Sequence, residues 1–142
     1  MGVLAGTWAT AGYVTLTSAP GSTSQGLGVV LLTAAVAMLV PASAASGKLV
    51  AAGVMGLTAA RFAVTGLYEL TASPAWKTTA GVTGLVRAGA ALYAAAGFEL
   101  EDAKRTTVLP LLRRGPGRQA MHGGVANQLD GVAHEAGVRE QL

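Results

Sequence analysis

Charge is scarce in most of this 142-residue chain. The first 47 residues contain no Asp, Glu, Lys or Arg, and residues 1–98 hold five charged side chains, whereas residues 99–142 hold twelve. Charged residues make up 12% of the chain, against about 25% in soluble domains, and apolar residues make up 51%. This distribution excludes an ordinary soluble globular protein, and the high apolar content excludes an intrinsically disordered chain.

Cysteine is absent, and histidine is limited to His122 and His134. A chain without cysteine has no disulfide, no thiolate zinc site and no cysteine nucleophile. Two isolated histidines are too few for a metal cluster, so we expect neither a metal nor another cofactor. Catalytic constellations are also lacking, and Gly26-Leu27-Gly28 has neither the third glycine nor the preceding strand of a dinucleotide loop. We therefore expect a protein that is not an enzyme.

The net charge of +3 does not indicate a protein that binds nucleic acid. Residues 99–142 carry equal numbers of basic and acidic side chains, and no basic cluster there is interleaved with aromatic residues. The surplus of positive charge lies between and within apolar segments. Nucleic acid is therefore excluded as an expected partner.

Long apolar runs are what the chain does contain. Four segments, at residues 3–19, 26–45, 49–71 and 78–98, approach the length of about 20 residues that crosses a bilayer as a helix. The connections are short, which places successive helices side by side and antiparallel. A soluble alanine-rich bundle would need a polar face on each helix, and the second segment offers only small residues, Thr33 and Ser43. The sequence predicts an all-α transmembrane bundle of about four helices over residues 1–98.

Residues 99–142 are predicted to form a short polar tail that is partly helical. Apolar residues at spacings of three and four in residues 121–136 are typical of one helix face, although glycines interrupt them. Such a face suits docking to a partner or to the membrane surface, and it is equally compatible with a weakly helical, solvated tail.

Basic residues predict the orientation. By the positive-inside rule the tail is cytoplasmic, in a multi-pass protein of the cytoplasmic (inner) membrane whose partner is the lipid bilayer. The residues that carry this prediction follow the fourth apolar segment: Lys104, Arg105, Arg113, Arg114 and Arg118.

Ionisable residues inside the apolar segments are the candidates for function. Arg61 lies near the centre of the third segment and Arg87 near the middle of the fourth, where a charge costs about 2.5–3.5 kcal/mol. Glu69 lies about two turns after Arg61, and Thr65 lies about one turn from both. These four residues suit an anion path, because an arginine fork matches a carboxylate in two parallel hydrogen bonds. The alternative is structural: Arg61 pairs with Glu69 or with a neighbouring helix to satisfy its charge, and Arg87 extends towards an interface.

Small residues are dense in the apolar segments and recur four residues apart. Gly2 and Gly6, Ala52 and Gly56, and Ala91 and Ala95 form such pairs. In lipid, small residues let helix backbones approach closely, so the pairs together predict a tightly packed bundle.

Several motifs near the end of the fourth segment resemble the closing part of the succinate–acetate permease (YaaH-type) family. They are Ala80-Gly81-Val82-Thr83-Gly84-Leu85, Ala91-Leu92-Tyr93-Ala94, Glu99-Leu100-Glu101 and Arg105-Thr106-Thr107-Val108-Leu109-Pro110. Gly66-Leu67-Tyr68-Glu69-Leu70-Thr71 looks like the actinobacterial branch. The four apolar segments would correspond to the third to sixth helices of that family. Its first two helices and its hallmark motif N-P-x-P-L-G-L have no counterpart here.

The resemblance implies a transporter that moves acetate or related short carboxylates, coupled to protons in several members, and that assembles as a homohexamer. Tyr93, Glu99, Arg105 and Pro110 match the closing motif of the family. The alternative function is a truncated, non-transporting membrane protein that acts through helix packing or partner binding.

Overall fold

The computed structural model describes residues 2–104, 106–115, 118 and 124, and most of them are helical. Four α-helices follow each other: α1 Gly2–Thr17, α2 Gln25–Ala44, α3 Leu49–Thr71 and α4 Pro74–Lys104, with a 3-10 turn at Ala45–Gly47 between α2 and α3. The described residues contain no β-strand, only an isolated antiparallel bridge between Lys48 and Arg113. The predicted all-α class is confirmed for this part of the chain.

Local sequence explains where α2 begins and α3 ends. Ser24 caps α2, because its hydroxyl accepts a hydrogen bond of 3.3 Å from the backbone N–H of Leu27. α2 then continues through Pro41 to Ala44. α3 covers the predicted residues 49–71, and Ala72 follows in a left-handed conformation, with φ of 53°, that does not continue the helix.

α4 departs furthest from its predicted bounds. It begins at Pro74 instead of residue 78, and it ends at Lys104 instead of residue 98. Proline suits the first position of a helix, where its fixed φ is already helical and its missing N–H has no partner to lose. Residues 99–104 are rich in glutamate, leucine, alanine and lysine, which continue a helix although four of these six residues are charged. The expected boundary between bundle and tail therefore lies inside α4.

The core lies between α2 and α3. Its buried apolar side chains come from both helices: Leu27, Leu31, Ala34, Ala35, Met38, Ala59 and Phe62. Gly28 and Gly66 set the distance between the helices, because a Cβ on Gly28 would lie 3.0 Å from the carbonyl oxygen of Gly66. A Cβ on Gly66 would lie 2.9 Å from the carbonyl oxygen of Gly28. The two backbones touch at this crossing, which requires glycine on both sides.

The glycines of the predicted small-residue pairs do not lie at such a crossing. A Cβ added to Gly2, Gly6 or Gly56 would meet nothing within 4 Å. α1 packs against the core through the partly buried Leu4, Ala11 and Val14, and its one buried side chain is that of Thr7. Close packing in this chain therefore comes from other glycines than those the spacing singled out.

Apolar side chains remain exposed along α1, α2 and α4. Their exposure leaves these helix faces suited to lipid or to another protein chain rather than to water. The most exposed of them are Leu16, Leu85, Leu92, Tyr13, Val40 and Val36.

Two of the four helices are long and apolar enough to cross a membrane, by length and composition. They are α2 together with the turn that follows it, Gln25–Gly47, and α3, Leu49–Thr71. α1 has 16 residues, fewer than the about 20 that a span needs. The sequence predicted four spans, and α2 and α3 are the two that meet both criteria.

Residues 106–115, called the return segment below, fold back from the end of α4 onto the turn between α2 and α3. The N–H of Arg114 donates to the carbonyl oxygen of Gly47 at 2.8 Å. Leu111 is 2% exposed and packs on α4 at Gly97, where a Cβ would lie 2.6 Å from its Cδ2. The return segment therefore ties the end of α4 to the α2–α3 turn, and it brings Arg113 and Arg114 beside Lys48 at one end of the bundle.

Candidate functional site

Arg61 lies in the middle of α3 and turns its guanidinium group along that helix. Its Nη1 donates to the hydroxyl of Thr65, one turn further on, as the spacing of four residues allows. The Thr65 hydroxyl in turn donates to the backbone carbonyl of Arg61 at 2.7 Å. Because the Thr65 hydroxyl donates its proton to that carbonyl, its oxygen accepts the hydrogen bond from the Arg61 guanidinium group.

Gly84 of α4 provides the space for the Arg61 side chain. A Cβ on Gly84 would lie 3.0 Å from Arg61 Nε and 3.7 Å from Arg61 Cζ. Any larger residue at position 84 would push the guanidinium group away from α4. The charge of Arg61 is therefore placed directly against the backbone of the neighbouring helix.

Arg87 reaches the same interface from α4. Its Nε donates to the hydroxyl of Thr58 at 2.9 Å, and that hydroxyl donates to the carbonyl of Val54 at 2.8 Å. Thr58 is buried, with 3% of its surface exposed. Thr58 lies three residues before Arg61 and Gly84 lies three residues before Arg87, so the Thr58–Arg61 turn of α3 meets the Gly84–Arg87 turn of α4. We call Arg61, Arg87, Thr58 and Thr65 the arginine–threonine cluster.

The cluster has two positive charges and no carboxylate partner among the described residues. Arg61 lies against Gly84 of α4 and Arg87 contacts Thr58 of α3, so the two positive charges lie at the same helix interface. Glu69 is the only acidic residue in residues 1–98, and the one ion pair in the described part of the chain joins Glu101 and Arg113. Two guanidinium groups in a partly buried interface repel each other more strongly than in water, because the local dielectric constant is lower. An anion placed between them would relieve this repulsion.

Glu69 lies outside the cluster, near the C-terminal end of α3. Its Oε2 accepts a hydrogen bond of 2.7 Å from the backbone N–H of Ser24, which caps α2. Arg61 is eight residues away, about 12 Å along the helix axis. The structure therefore brings Arg61, Thr65 and Arg87 of the predicted site together and places Glu69 at the start of α2.

The guanidinium groups of the cluster retain donors for a ligand. Each guanidinium has five N–H groups, and the contacts to Thr65 and Thr58 use one on each arginine. The planar fork of the remaining donors matches a carboxylate in two parallel hydrogen bonds. The cluster is thus suited to hold a small carboxylate reversibly.

The residues that match the closing motif lie around the end of α4 rather than in the cluster. The Tyr93 hydroxyl donates to the carbonyl oxygen of Pro110 at 3.0 Å, which fixes the return segment to α4. Glu99 is exposed on α4. Arg105 lies outside the described residues, as does the apolar face predicted in residues 121–136.

A buried ion pair stabilises the same region. Arg113 donates to both carboxylate oxygens of Glu101, with Nε at 3.4 Å from Oε1, and its guanidinium carbon lies 5.7 Å from the centre of the Phe98 ring. The hydrogen bond from Arg113 holds the pKa of the Glu101 carboxyl below its usual range against the opposing effect of burial, and the nearby charges of Arg113 and Lys48 act in the same direction. Glu101 lies beyond Phe98, outside the apolar part of α4.

Thr58 and Gly84 were missed by the sequence analysis. The sequence did contain a signal, because Thr58 lies three residues before Arg61 and Gly84 lies three residues before Arg87, and residues three apart share a helix face. What the sequence did not give is the pairing of those two turns across the α3–α4 interface.

No group of three or more His, Cys, Asp or Glu side chains that could hold a metal ion occurs among the described residues. Comparisons with known protein families, with curated proteins and with solved structures found no significant match to this chain.

Proposed function

We propose that this protein is an integral membrane transporter that moves acetate or related short carboxylates across the cytoplasmic membrane. The observation that carries the proposal is the arginine–threonine cluster, in which Arg61 and Arg87 converge without a carboxylate partner among the described residues. Charged side chains at this depth are costly, and they typically mark ion and substrate paths.

In the proposed mechanism the anion passes between α3 and α4. The two guanidinium groups attract the carboxylate and replace part of its hydration shell with N–H donors. The hydroxyls of Thr58 and Thr65 orient the arginines on the α3 side, and Gly84 keeps the α4 side open. Release requires only that the two bidentate contacts be exchanged for water, since no covalent step is involved.

Acetate is the proposed substrate because of the resemblance of the last helix to the succinate–acetate permease family. The same resemblance supports proton coupling and a homo-oligomer, with a hexamer as the expected size. In this proposal all four helices cross the membrane, α2 and α3 as the most apolar spans. The exposed apolar faces of α1, α2 and α4 would contact lipid and neighbouring copies. The end that gathers Lys48, Arg113 and Arg114 would be cytoplasmic.

Acetate uptake into proteoliposomes tests the proposal. We expect saturable uptake of radiolabelled acetate by the wild-type protein, faster with an inward proton gradient than without one. Arg61→Gln and Arg87→Gln should each reduce uptake by about tenfold or more, since a hydrogen bond between charged groups contributes about 1.5–3 kcal/mol. Lys77→Gln is the matched control, because it removes one positive charge from the exposed start of α4, and it should leave uptake unchanged.

The same assay addresses the alternative of a membrane protein that binds partners without transport, which the exposed apolar helix faces favour. Folded wild-type protein that gives no more uptake than empty liposomes would contradict transport and support this alternative. Uptake that is equal in the wild type and in both arginine variants would contradict the role of the cluster.

A further inference from the structure

A cleft opens at the end of the bundle that carries the basic residues. It has a volume of about 550 Å³ and is lined by residues 44–48, Ala51, Met55 and Phe98. Its walls are mostly apolar, and Lys48 brings a positive charge to it. A site with an apolar wall and one cation matches the chemistry of a short-chain carboxylate, which has an apolar body and one negative end.

The cleft and the arginine–threonine cluster lie along one face of α3. Lys48, Ala51, Met55 and Thr58 follow each other at intervals of three and four residues, which places them on the same side of the helix. Met55 lines the cleft, and Thr58 of the cluster lies about 4.5 Å further along the axis. Met55 is therefore the last side chain of the cleft before the cluster on this helix.

Distances along α4 and along α3 give similar separations between the cleft and the arginine–threonine cluster. Arg87 donates to Thr58, so these two residues lie at one depth. From there Phe98 is about 16 Å along α4 and Lys48 about 15 Å along α3, at 1.5 Å per residue. Since both residues line the cleft, the cleft lies at one level of the bundle and the cluster at another, with α3 and α4 flanking the path between them.

Met55 is suited to separate the two sites. It is partly buried and packs against the α2–α3 core while lining the cleft. Its unbranched side chain has three rotatable bonds, so it can change rotamer without moving the helix.

We propose that this cleft is an aqueous vestibule through which carboxylates reach the arginine–threonine cluster from the basic end, with Lys48 as the attracting charge and Met55 as the constriction. The proposal rests on the proposed function, because it supplies the access route to the same site.

Because the chain has no cysteine, an introduced cysteine is the only thiol that a labelling reagent can modify. Met55→Cys is reconstituted in lipid and treated with a negatively charged methanethiosulfonate reagent that does not cross membranes, with access to both sides. Gly53→Cys is the matched control, since position 53 is exposed on another face of α3 at nearly the same depth and has room for a side chain. We expect Met55→Cys to react at least about tenfold faster, because thiolate forms in water and is suppressed in lipid.

Acetate and Lys48 provide the specific readouts. Added acetate should slow the labelling of Met55→Cys, while methanesulfonamide, a neutral molecule of similar size, should not. Adding Lys48→Gln should slow labelling by the anionic reagent and leave labelling by a neutral reagent unchanged, because only the anion is attracted.

Labelling is measured without transport, so the two proposals fail separately. Equal reaction rates at positions 55 and 53, or labelling that acetate does not slow, would overturn the vestibule even if the wild type takes up acetate. Fast, acetate-sensitive labelling would support the vestibule, and absence of uptake by the same wild-type preparation would then count against transport alone.

Discussion

Glu69 and Arg61 carry opposite charges on the same helix, about two turns apart, yet the structure gives them different partners. Arg61 donates to Thr65 and lies against α4, whereas Glu69 accepts from the N–H of Ser24. A backbone N–H at the start of a helix attracts a carboxylate, because the helix dipole leaves partial positive charge there. The tertiary contact between the end of α3 and the start of α2 therefore decides the role of Glu69.

This difference predicts that Glu69 contributes to stability and Arg61 to transport. Glu69→Ala should lower the free energy of unfolding by about 1–2 kcal/mol, because the N–H of Ser24 loses a charged acceptor. Glu69→Gln keeps an acceptor oxygen and should lose less. Unfolding of the detergent-solubilised protein, followed by circular dichroism, measures both variants.

The uptake assay supplies the contrasting readout for Glu69. Glu69→Gln protein that folds should transport acetate at nearly the wild-type rate, unlike Arg61→Gln. A tenfold or larger loss of uptake in Glu69→Gln with unchanged stability would place Glu69 in the substrate path after all.

The bounds of a helix could be predicted from the sequence where the helix is apolar over its whole length. The bounds of α3 followed from the run alone, because turn residues flank it on both sides. α4 was predicted too short, since hydropathy falls at Lys77 and at Glu99 while helix propensity does not. Hydropathy therefore locates the apolar segment of a helix, whereas the helix propensity of the residues determines where the helix begins and ends.

The return segment is the element that sequence patterns did not predict. Its attachment depends on contacts between residues distant in sequence, the bidentate ion pair of Arg113 with Glu101 and the packing of Leu111 on Gly97. The sequence predicted a polar tail over residues 99–142 that is helical in part, without a contact back to the helices. Pairing of one glutamate with one arginine across ten or more residues has no local periodicity from which it could be read.

The return segment should detach in acid. The pKa of Glu101 is lower in the folded protein than in the unfolded chain, so the ion pair contributes fully above the unfolded pKa of about 4.3 and is lost as the pH falls through the lower folded value. Hydrogen exchange of residues 106–115, corrected for the intrinsic rate, should therefore stay constant down to about pH 4.3 and rise below it.

Variants separate the ion pair from general acid unfolding. Glu101→Gln should speed exchange of the return segment at neutral pH roughly 10- to 100-fold, as loss of about 1.5–3 kcal/mol implies. Glu99→Gln, an exposed neighbour on α4, is the control and should behave as the wild type. Exchange in Glu101→Gln that matches the wild type at neutral pH would show that the ion pair does not hold the segment.

At the scale of the whole molecule, the chain has an apolar α2–α3 pair with α4 packed against α3. The arginine–threonine cluster lies at the α3–α4 interface, and the cleft and the return segment lie towards one end. The contact between Arg61 and Thr65 follows from the sequence, because these residues are four apart on one helix. The meeting of Arg61 with Arg87 depends on how α3 and α4 pair, and nothing in the local pattern specifies that register.

The central claim is that Arg61 and Arg87 together bind the transported carboxylate. Solid-state NMR of the protein in lipid, with acetate labelled by ¹³C at the carboxyl carbon and arginine side chains labelled by ¹⁵N, tests it by dipolar dephasing. We predict dephasing of the acetate signal by guanidinium nitrogens within about 4 Å, the range of a bidentate pair, and its loss in the Arg61→Lys, Arg87→Lys double variant, which keeps both charges. Dephasing that persists unchanged in the double variant would place acetate at another of the seven arginines and contradict the claim.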